Sequence, residues 1–252
     1  MAVDSRFPAA VQPLAATAAA RVRLTPTDPE YWANIRYLTF GRAVPAALFG
    51  FMGWVQLRRV LDALPSATRA DALVHLVPQL LYALFCAIPV VIYLTRPKPH
   101  RRDGSLGARA AAFTGTLMQL VVGAFLPSGP RLWIPPEWTG AAVLVLGAGA
   151  WAFALWGIVH LRRSLSIIPE ARRLVTTGPY RLVRHPLYVA EIVAAVSVVL
   201  SWPALVPTAA LSVFIVMQLI RMRFEERLLS AAFPDEYPAY RDRTARVVPN
   251  LI

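Results

Sequence analysis

Residues 72–95 read ALVHLVPQLLYALFCAIPVVIYLT and contain no Asp, Glu, Lys or Arg. The hydrocarbon core of a bilayer is about 30 Å thick, and a helix of about 20 mainly apolar residues crosses it. This stretch therefore predicts a transmembrane helix. The whole chain agrees with that setting, because 57% of its 252 residues are hydrophobic and only 16% are charged, a composition that is atypical of soluble domains.

Six apolar segments are candidate membrane spans. They cover residues 44–57, with an extension back to residue 38, then 72–95, 110–126, 138–160, 187–202 and 204–220. Pro203 joins the last two so closely that they predict a helical hairpin. We therefore expect an all-α, polytopic membrane bundle in three parts: a flexible cytoplasmic leader (1–36), four transmembrane helices (37–160) and a catalytic region (161–252).

The basic residues predict the orientation of the bundle. Of the 26 lysines and arginines, 22 lie in the segments 1–43, 96–109, 161–186 and 221–252. Because basic loops stay in the cytoplasm, both termini are expected there. The net charge of +12 is also typical of nucleic-acid binding, but this topology accounts for it, and we expect the basic loops to contact anionic lipid headgroups instead.

Cys86 is the single cysteine of the chain and lies inside the span at 72–95. One cysteine allows neither an internal disulfide nor a cysteine metal cluster. No metal is therefore expected in this protein.

Polar residues concentrate in two segments next to the apolar spans, 161–193 and 220–252. In the first segment, His185 and Tyr188 are three residues apart, so a helix places them on one face. In the second, Glu225 and Glu226 follow a span, and carboxylates are costly to desolvate unless they meet a cation. An antiparallel hairpin would bring both segments together into one site that accepts a ligand with an ammonium group.

Three motifs in these segments resemble those of a known family. They are LVTTGPY at 174–180, RHPLY at 184–188, and the pair Glu225-Glu226 followed by FPDEYPAY at 233–240. Residues 156–252 resemble the isoprenylcysteine carboxyl methyltransferases and the wider group of integral-membrane methyltransferases, which includes phospholipid N-methyltransferases. The resemblance implies S-adenosylmethionine as the cofactor, bound in a cytoplasmic pocket.

The resemblance also implies roles for individual residues. Glu225 would bind the amino group of the cofactor, and Arg221 would be the catalytic residue that contacts the substrate carboxylate. The remaining cofactor contacts would be Arg172, Arg173, Leu174, Val175, Tyr180, His185, Pro186, Leu187 and Tyr188. The chain departs from the family pattern at Arg172, where His or a small polar residue is usual, and at Ala190, where glycine is usual.

The implied reaction is methyl transfer to a lipophilic acceptor that comes from the membrane, with the carboxylate of an isoprenylcysteine-like molecule as the first candidate. Such an in-line displacement depends mainly on alignment and on the exclusion of water. A carboxylate needs no base, and Arg221 would orient it through a charge-assisted hydrogen bond. An amine or thiol acceptor, as in phospholipid or other small-molecule methylation, would need a base, for which Glu226, His185 and Tyr188 are candidates.

Two other function classes remain open. NADPH-dependent sterol and steroid reductases carry a related Arg-His-Pro-Asn-Tyr element, but Leu187 replaces the asparagine here, and the tail lacks their Cys-x-x-Lys-Tyr-Gly-x-x-Trp pattern. A non-catalytic membrane protein could use the same scaffold.

Structural roles are also open for the acidic residues. Glu225 and Glu226 could form ion pairs with Arg221, Arg223 or Arg227 on a solvated helix face. Glu191 lies inside a predicted span, where it is either functional or paired with an arginine of the tail.

Overall fold

A computed structural model of the chain describes residues 26–69, 72–99, 101–103, 105–124 and 130–249. Its helices are α1 (Pro29–Leu38), α2 (Val44–Ala63), α3 (Val77–Thr95), α4 (Leu106–Ala124), α5 (Thr139–Leu161), α6 (Pro186–Ser201), α7 (Leu205–Ala232) and α8 (Tyr237–Arg243). Two short strands, β1 (Arg101–Arg102) and β2 (Glu170–Ala171), pair antiparallel. The fold is therefore an all-α bundle, as the apolar pattern predicts.

Each of the six predicted apolar segments coincides with a helix over most of its described residues, although the lengths differ from expectation. By length and hydropathy, four helical stretches can cross a membrane: Glu30–Ser66, Val74–Thr95, Thr139–Ser164 and Leu205–Ala232. Helix α6 is apolar but shorter than these four. The description of a multi-pass helical membrane protein holds, while the side of the membrane that each terminus occupies stays a prediction.

The first span extends further than its hydropathy indicates. A turn of π-helix at Thr39–Ala43 joins α1 to α2, so that one helical stretch runs from residue 30 to residue 66. Most of the predicted leader, residues 1–25, lies outside the described residues, whereas Pro29 already begins α1. The boundary placed at residue 36 thus falls inside a helix.

Small residues set how the helices pack. Helix α6 packs mainly on α5 and α7 mainly on α4, so the two helices of the predicted hairpin contact each other less than they contact these neighbours. One of the close contacts between α5 and α6 is at Gly157, where an added Cβ would lie 3.0 Å from the Leu187 side chain. Short glycine and alanine side chains allow such contacts between membrane helices.

Apolar residues lie both in the core and on the outer surface of the bundle. Tyr82 and Trp151 stack in the core with ring centroids 4.3 Å apart, next to the buried Phe85. Many large apolar side chains face outward instead, for example Phe51 at 57% exposure and Val145 at 69%. Extended apolar outer surfaces of this kind suit contact with lipid rather than with water.

Candidate functional site

A cavity at one end of the bundle collects most of the predicted site residues. It lies between the first turns of α6, the last turns of α7 and the loop that follows α5. Its walls include Tyr180, His185, Pro186, Leu187, Tyr188, Arg221 and Glu225, and apolar side chains of α2 and α3 close its inner side. Residues more than 40 positions apart in the chain thus share one enclosed space.

The turn before α6 depends on Gly178. Its φ angle is +62°, in the left-handed region where only glycine is unstrained. A Cβ at this position would lie 2.4–2.6 Å from the ring of His160. This turn positions Tyr180. Burial raises the pKa of the Tyr180 phenol well above its usual value, and the charge of Glu225 adds a smaller increase. The phenol therefore stays neutral.

The C-terminal tail holds this turn in place. The Tyr240 hydroxyl donates to the Tyr180 carbonyl at 2.8 Å. The backbone amides of Arg184 and His185 donate to the carbonyls of Ala245 and Arg246 at 2.8 and 3.2 Å. Tyr240 therefore fastens the tail to the turn that precedes α6.

Glu226 joins three elements instead of facing the cavity. Its Oε1 accepts from Arg184 Nε at 3.0 Å and lies 3.2 Å from His185 Nε2, and its Oε2 accepts from Arg246. These partners come from the loop and the tail. The structure therefore corrects the suggested ion pairs with the helix arginines, and it places the Glu226 oxygens where they serve the fold rather than a reacting group.

Glu225 has the opposite surroundings. Its Oε2 accepts a hydrogen bond from the Tyr188 hydroxyl at 2.9 Å, and the same oxygen lies 3.9 Å from His185 Nδ1. The side chain is 35% exposed and lines the cavity. A carboxylate that is oriented by a neutral phenol, and that faces an open space, can accept an ammonium group.

Arg221 lines the cavity but is already engaged. Its Nη1 donates to Gln218 Oε1 at 2.7 Å, and its Nη2 donates to the Ile167 carbonyl at 3.2 Å. The guanidinium also lies over the Tyr188 ring, 5.0 Å from the ring centroid. Gln218 in turn donates to Glu191 Oε2 at 2.5 Å. The sequence did not predict this network of hydrogen bonds, because a glutamine inside an apolar span belongs to no recognisable motif.

The four side chains of the loop at 172–175 do not all lie in the same place. Arg173, Leu174 and Val175 line a smaller cavity together with Tyr180, His185 and Glu225. Arg172 lies elsewhere: its Nη2 is 2.7 Å from Glu170 Oε2, and its Nε donates to the Pro97 carbonyl at 3.2 Å. Arg172 thus pairs with Glu170, since the buried carboxylate needs a cation, and its predicted contact with the cofactor stays a prediction.

The segment that builds most of this cavity is similar to known proteins. Residues 136–236 match the sequence model of the phospholipid methyltransferase family. Over this segment, called the matched domain, the chain is similar to the phospholipid methyltransferases. The resemblance to integral-membrane methyltransferases is thereby confirmed, and all predicted site residues lie inside the domain. It contains α5, α6 and α7, which build most of the cavity wall.

Two curated relatives share a part of this chain. The cobalt-zinc-cadmium resistance protein CzcN of Cupriavidus metallidurans is 40% identical over 119 residues, which are 46% of this chain and 55% of the relative. The nickel-cobalt-cadmium resistance protein NccN of Alcaligenes xylosoxydans is 34% identical over 119 residues, 45% of this chain and 53% of the relative. The chain thus matches about half the length of these relatives. Among the described residues, no group of three or more His, Cys, Asp or Glu side chains could hold a metal ion.

Proposed function

We propose that this protein is a membrane methyltransferase that transfers a methyl group from S-adenosylmethionine to a lipophilic acceptor. The observation that carries the proposal is the Glu225 carboxylate, which Tyr188 orients towards a cavity at the end of an apolar bundle. The segment that matches the phospholipid methyltransferase family supplies most of the residues that line this cavity. The partners are an acceptor from the bilayer and, for the basic loops, anionic lipid headgroups.

The residues present fit the cofactor. Glu225 would hold the α-ammonium group, since its carboxylate faces open space and is 35% exposed. Leu174, Val175 and Tyr180 offer an apolar and aromatic wall beside it, as pockets for nucleosides commonly do. When bound, the cofactor supplies an electrophilic methyl group. The chain itself orients the reactants and excludes water, because apolar side chains of the bundle close the inner side of the cavity.

The acceptor group has two candidates. Arg221 favours a carboxylate of the isoprenylcysteine type, because a guanidinium binds a carboxylate through charge-assisted hydrogen bonds. A protic acceptor such as an amine or thiol is favoured by a different observation. Two nitrogens of Arg221 already donate to Gln218 and Ile167, and the Glu191 carboxylate lines the same cavity, where it would repel an anionic acceptor.

Titration calorimetry of the purified protein tests the cofactor assignment. We expect S-adenosylhomocysteine to bind, and Glu225→Gln to weaken that binding by about 10- to 100-fold, because a hydrogen bond between charged groups contributes about 1.5–3 kcal/mol. Glu236→Gln is the matched control, since Glu236 is an exposed carboxylate beyond α7. Binding of NADPH without any response to S-adenosylhomocysteine would refute the proposal in favour of a reductase.

A further inference from the structure

A cleft rich in arginine lies on the exposed side of α7, at the end of the bundle that holds Glu225. Its lining comes from the last turns of α7, from α8 and from the tail: Arg223, Glu226, Arg227, Ser230, Ala231, Tyr237, Arg241 and Arg246. None of these eight residues lines the larger cavity beside Glu225. The cleft, called the arginine cleft below, is therefore separate from that cavity.

The arginine cleft carries an excess of positive charge. Four guanidinium groups line it together with one carboxylate, Glu226, which cations of the loop and the tail already bind. Arg241 lies 3.4 Å from Asp242, but both side chains are more than half exposed, and solvent screens such a pair. An anionic ligand would balance this excess, whereas a zwitterionic ligand would bring a further cation into the cleft.

Arg223 and Arg227 have their hydrogen-bond donors available for such a ligand. They are exposed and four residues apart on α7, a spacing at which like charges repel each other. The residues three and four positions from Arg227 include no carboxylate. Within the described part of the chain, neither arginine side chain forms an ion pair or a hydrogen bond.

Tyr237 adds a buried hydroxyl to the arginine cleft. The residue is 1% exposed, and among the described residues its hydroxyl has no hydrogen-bond partner. A buried polar group without a partner is costly. Burial raises the pKa of the Tyr237 phenol, so the hydroxyl keeps its proton. It can therefore donate to an oxygen of an anion in the cleft.

The position of the arginine cleft along α7 matches the depth of lipid phosphates. Helix α7 begins at Leu205, close to Trp202, whose ring lies 3.8 Å from the Arg131 guanidinium. Tryptophan is typical of the membrane–water interface. At 1.5 Å per residue, Arg223 lies about 27 Å and Arg227 about 33 Å from Leu205, and the hydrocarbon core is about 30 Å thick. In an upright α7 the two arginines therefore lie on either side of the opposite edge of that core.

The same face of α7 offers an apolar surface for acyl chains. Val216 and Leu219 precede Arg223 by seven and four residues, which places all three on one face of the helix. Val216 is 50% exposed and Leu219 is 44% exposed. An apolar stretch that leads to guanidinium groups has the polarity of a phospholipid, whose chains lie in the core and whose phosphate lies at its edge.

We propose that the arginine cleft binds the headgroup of one anionic phospholipid, whose acyl chains lie along Val216 and Leu219. Arg223 and Arg227 bind the phosphate oxygens through charge-assisted hydrogen bonds, and Tyr237 donates to one of these oxygens. Basic loops are attracted to any anionic surface, whereas this cleft is a site for a single lipid molecule. The proposal does not depend on methyl transfer.

The tail connects this lipid to the interior of the protein. Arg246 lines the cleft and binds Glu226, whose Oε1 also accepts a hydrogen bond from Arg184 of the loop. A phosphate beside Arg246 would therefore hold the tail against the membrane.

Protection of a thiol in lipid nanodiscs tests the site without any need for turnover. The background is Cys86→Ala, which removes the single cysteine of the chain. Ser230→Cys places a thiol in the cleft, and Thr177→Cys places one at an exposed position of the turn before α6 as the matched control. The probe is an uncharged maleimide, because surface charge does not concentrate or repel it. The nanodiscs contain phosphatidylcholine alone or an equimolar mixture with phosphatidylglycerol.

We expect phosphatidylglycerol to slow the reaction of Ser230→Cys severalfold, because the bound headgroup covers the thiol, and to leave Thr177→Cys unchanged. Adding Arg223→Gln together with Arg227→Gln should abolish this protection, since losing hydrogen bonds between charged groups weakens binding by at least about tenfold.

A second pair of substitutions separates the site from general surface charge. Arg163→Gln together with Arg181→Gln removes the same charge from exposed positions at the same end of the bundle, outside the cleft, and should leave the protection of Ser230→Cys intact. Equal protection of Ser230→Cys and Thr177→Cys, or equal effects of the two pairs, would overturn the proposal. Protection by inorganic phosphate or by polyglutamate, without an effect of phosphatidylglycerol, would also overturn it, in favour of a soluble anion or an acidic protein.

Tyr237→Phe gives an independent test of the buried hydroxyl. In delipidated protein the melting temperature should stay the same or rise, because the substitution removes a polar group that has no partner. The affinity for phosphatidylglycerol, measured by native mass spectrometry of the full chain in detergent, should fall by about threefold to tenfold, the effect of losing one hydrogen bond. A lower melting temperature with unchanged lipid affinity would show that the hydroxyl stabilises the fold, and it would overturn the role of Tyr237 in binding the phosphate.

Discussion

At the residue scale, Arg221 and Glu225 line the same cavity but have different proposed roles. Its guanidinium is held by Gln218 and by the Ile167 carbonyl, and it stacks on Tyr188. It lies beside the proposed acceptor position, while Glu225 lies at the proposed cofactor position. The two residues should therefore respond differently when each is replaced.

We predict that Arg221→Ala lowers methyl transfer by about 100-fold, the usual effect of losing one positioned donor. Affinity for S-adenosylhomocysteine should change by less than about threefold, since losses confined to turnover indicate interactions made at the acceptor. Labelled-methyl assays and calorimetry on the same preparations measure both. Arg223→Ala, two positions along on the exposed side of the helix, should change neither, and an equal loss of binding and turnover in Arg221→Ala would contradict the assignment.

At the element scale, the turn before α6 depends on Gly178 and on the ring of His160 beneath it. Gly178→Ala would combine a positive φ with a contact of 2.4 Å to that ring. We expect a loss of unfolding free energy of more than about 1 kcal/mol, since alanine is strained at positive φ. Thermal unfolding in detergent measures it.

Two variants make the effect of Gly178→Ala interpretable. Gly149→Ala is the control, because no atom lies within 4 Å of an added Cβ there, and alanine favours the helix by about 1 kcal/mol over glycine. Adding His160→Ala to Gly178→Ala should restore part of the lost stability, because the ring contact disappears while the strained φ remains. Equal melting temperatures for Gly178→Ala and Gly149→Ala would show that the turn tolerates a side chain.

At the scale of the whole molecule, Glu226 connects α7, the turn before α6 and the tail. Arg184 and His185 bind it from the loop, and Arg246 binds it from the tail. Both the Glu226 and the Arg184 side chains are at most 10% exposed, whereas Arg246 is 39% exposed. The Arg184 pair should therefore contribute more than the Arg246 pair, because solvent screens exposed ion pairs.

We predict that Glu226→Gln releases the tail and weakens the site indirectly. Loss of the negative charge leaves Arg184 buried without its counter-charge, which costs on the order of 3 kcal/mol. Trypsin should then cleave faster at Arg241 and Arg243, and the melting temperature should fall. Asp235→Asn, which changes an exposed carboxylate next to the tail, should leave the cleavage rate unchanged. A tail that stays resistant in Glu226→Gln would show that the Tyr240 hydrogen bond and the backbone bonds from Arg184 and His185 hold it without the ion pairs.

The sequence by itself determined the class of the fold and the region of the site. Apolar stretches of bilayer length, such as 72–95, specify membrane helices because the backbone must satisfy its own hydrogen bonds in lipid. The motifs at 174–180 and 184–188 identified the turn and the start of α6, since glycine allows a positive φ and proline suits the first turn of a helix. Seven of the predicted site residues, among them Tyr188 and Glu225, line one cavity.

Only the tertiary structure decided which partner each charge meets. Adjacent in sequence, Glu225 and Glu226 point in different directions on a helix, so one lines the cavity and the other binds the tail. Arg172 pairs with the buried Glu170. Glu191 lies on a cavity wall beside Gln119 of α4, and it accepts a hydrogen bond from Gln218 of α7. Side-chain pairing depends on contacts between distant segments, and helix periodicity does not encode those contacts.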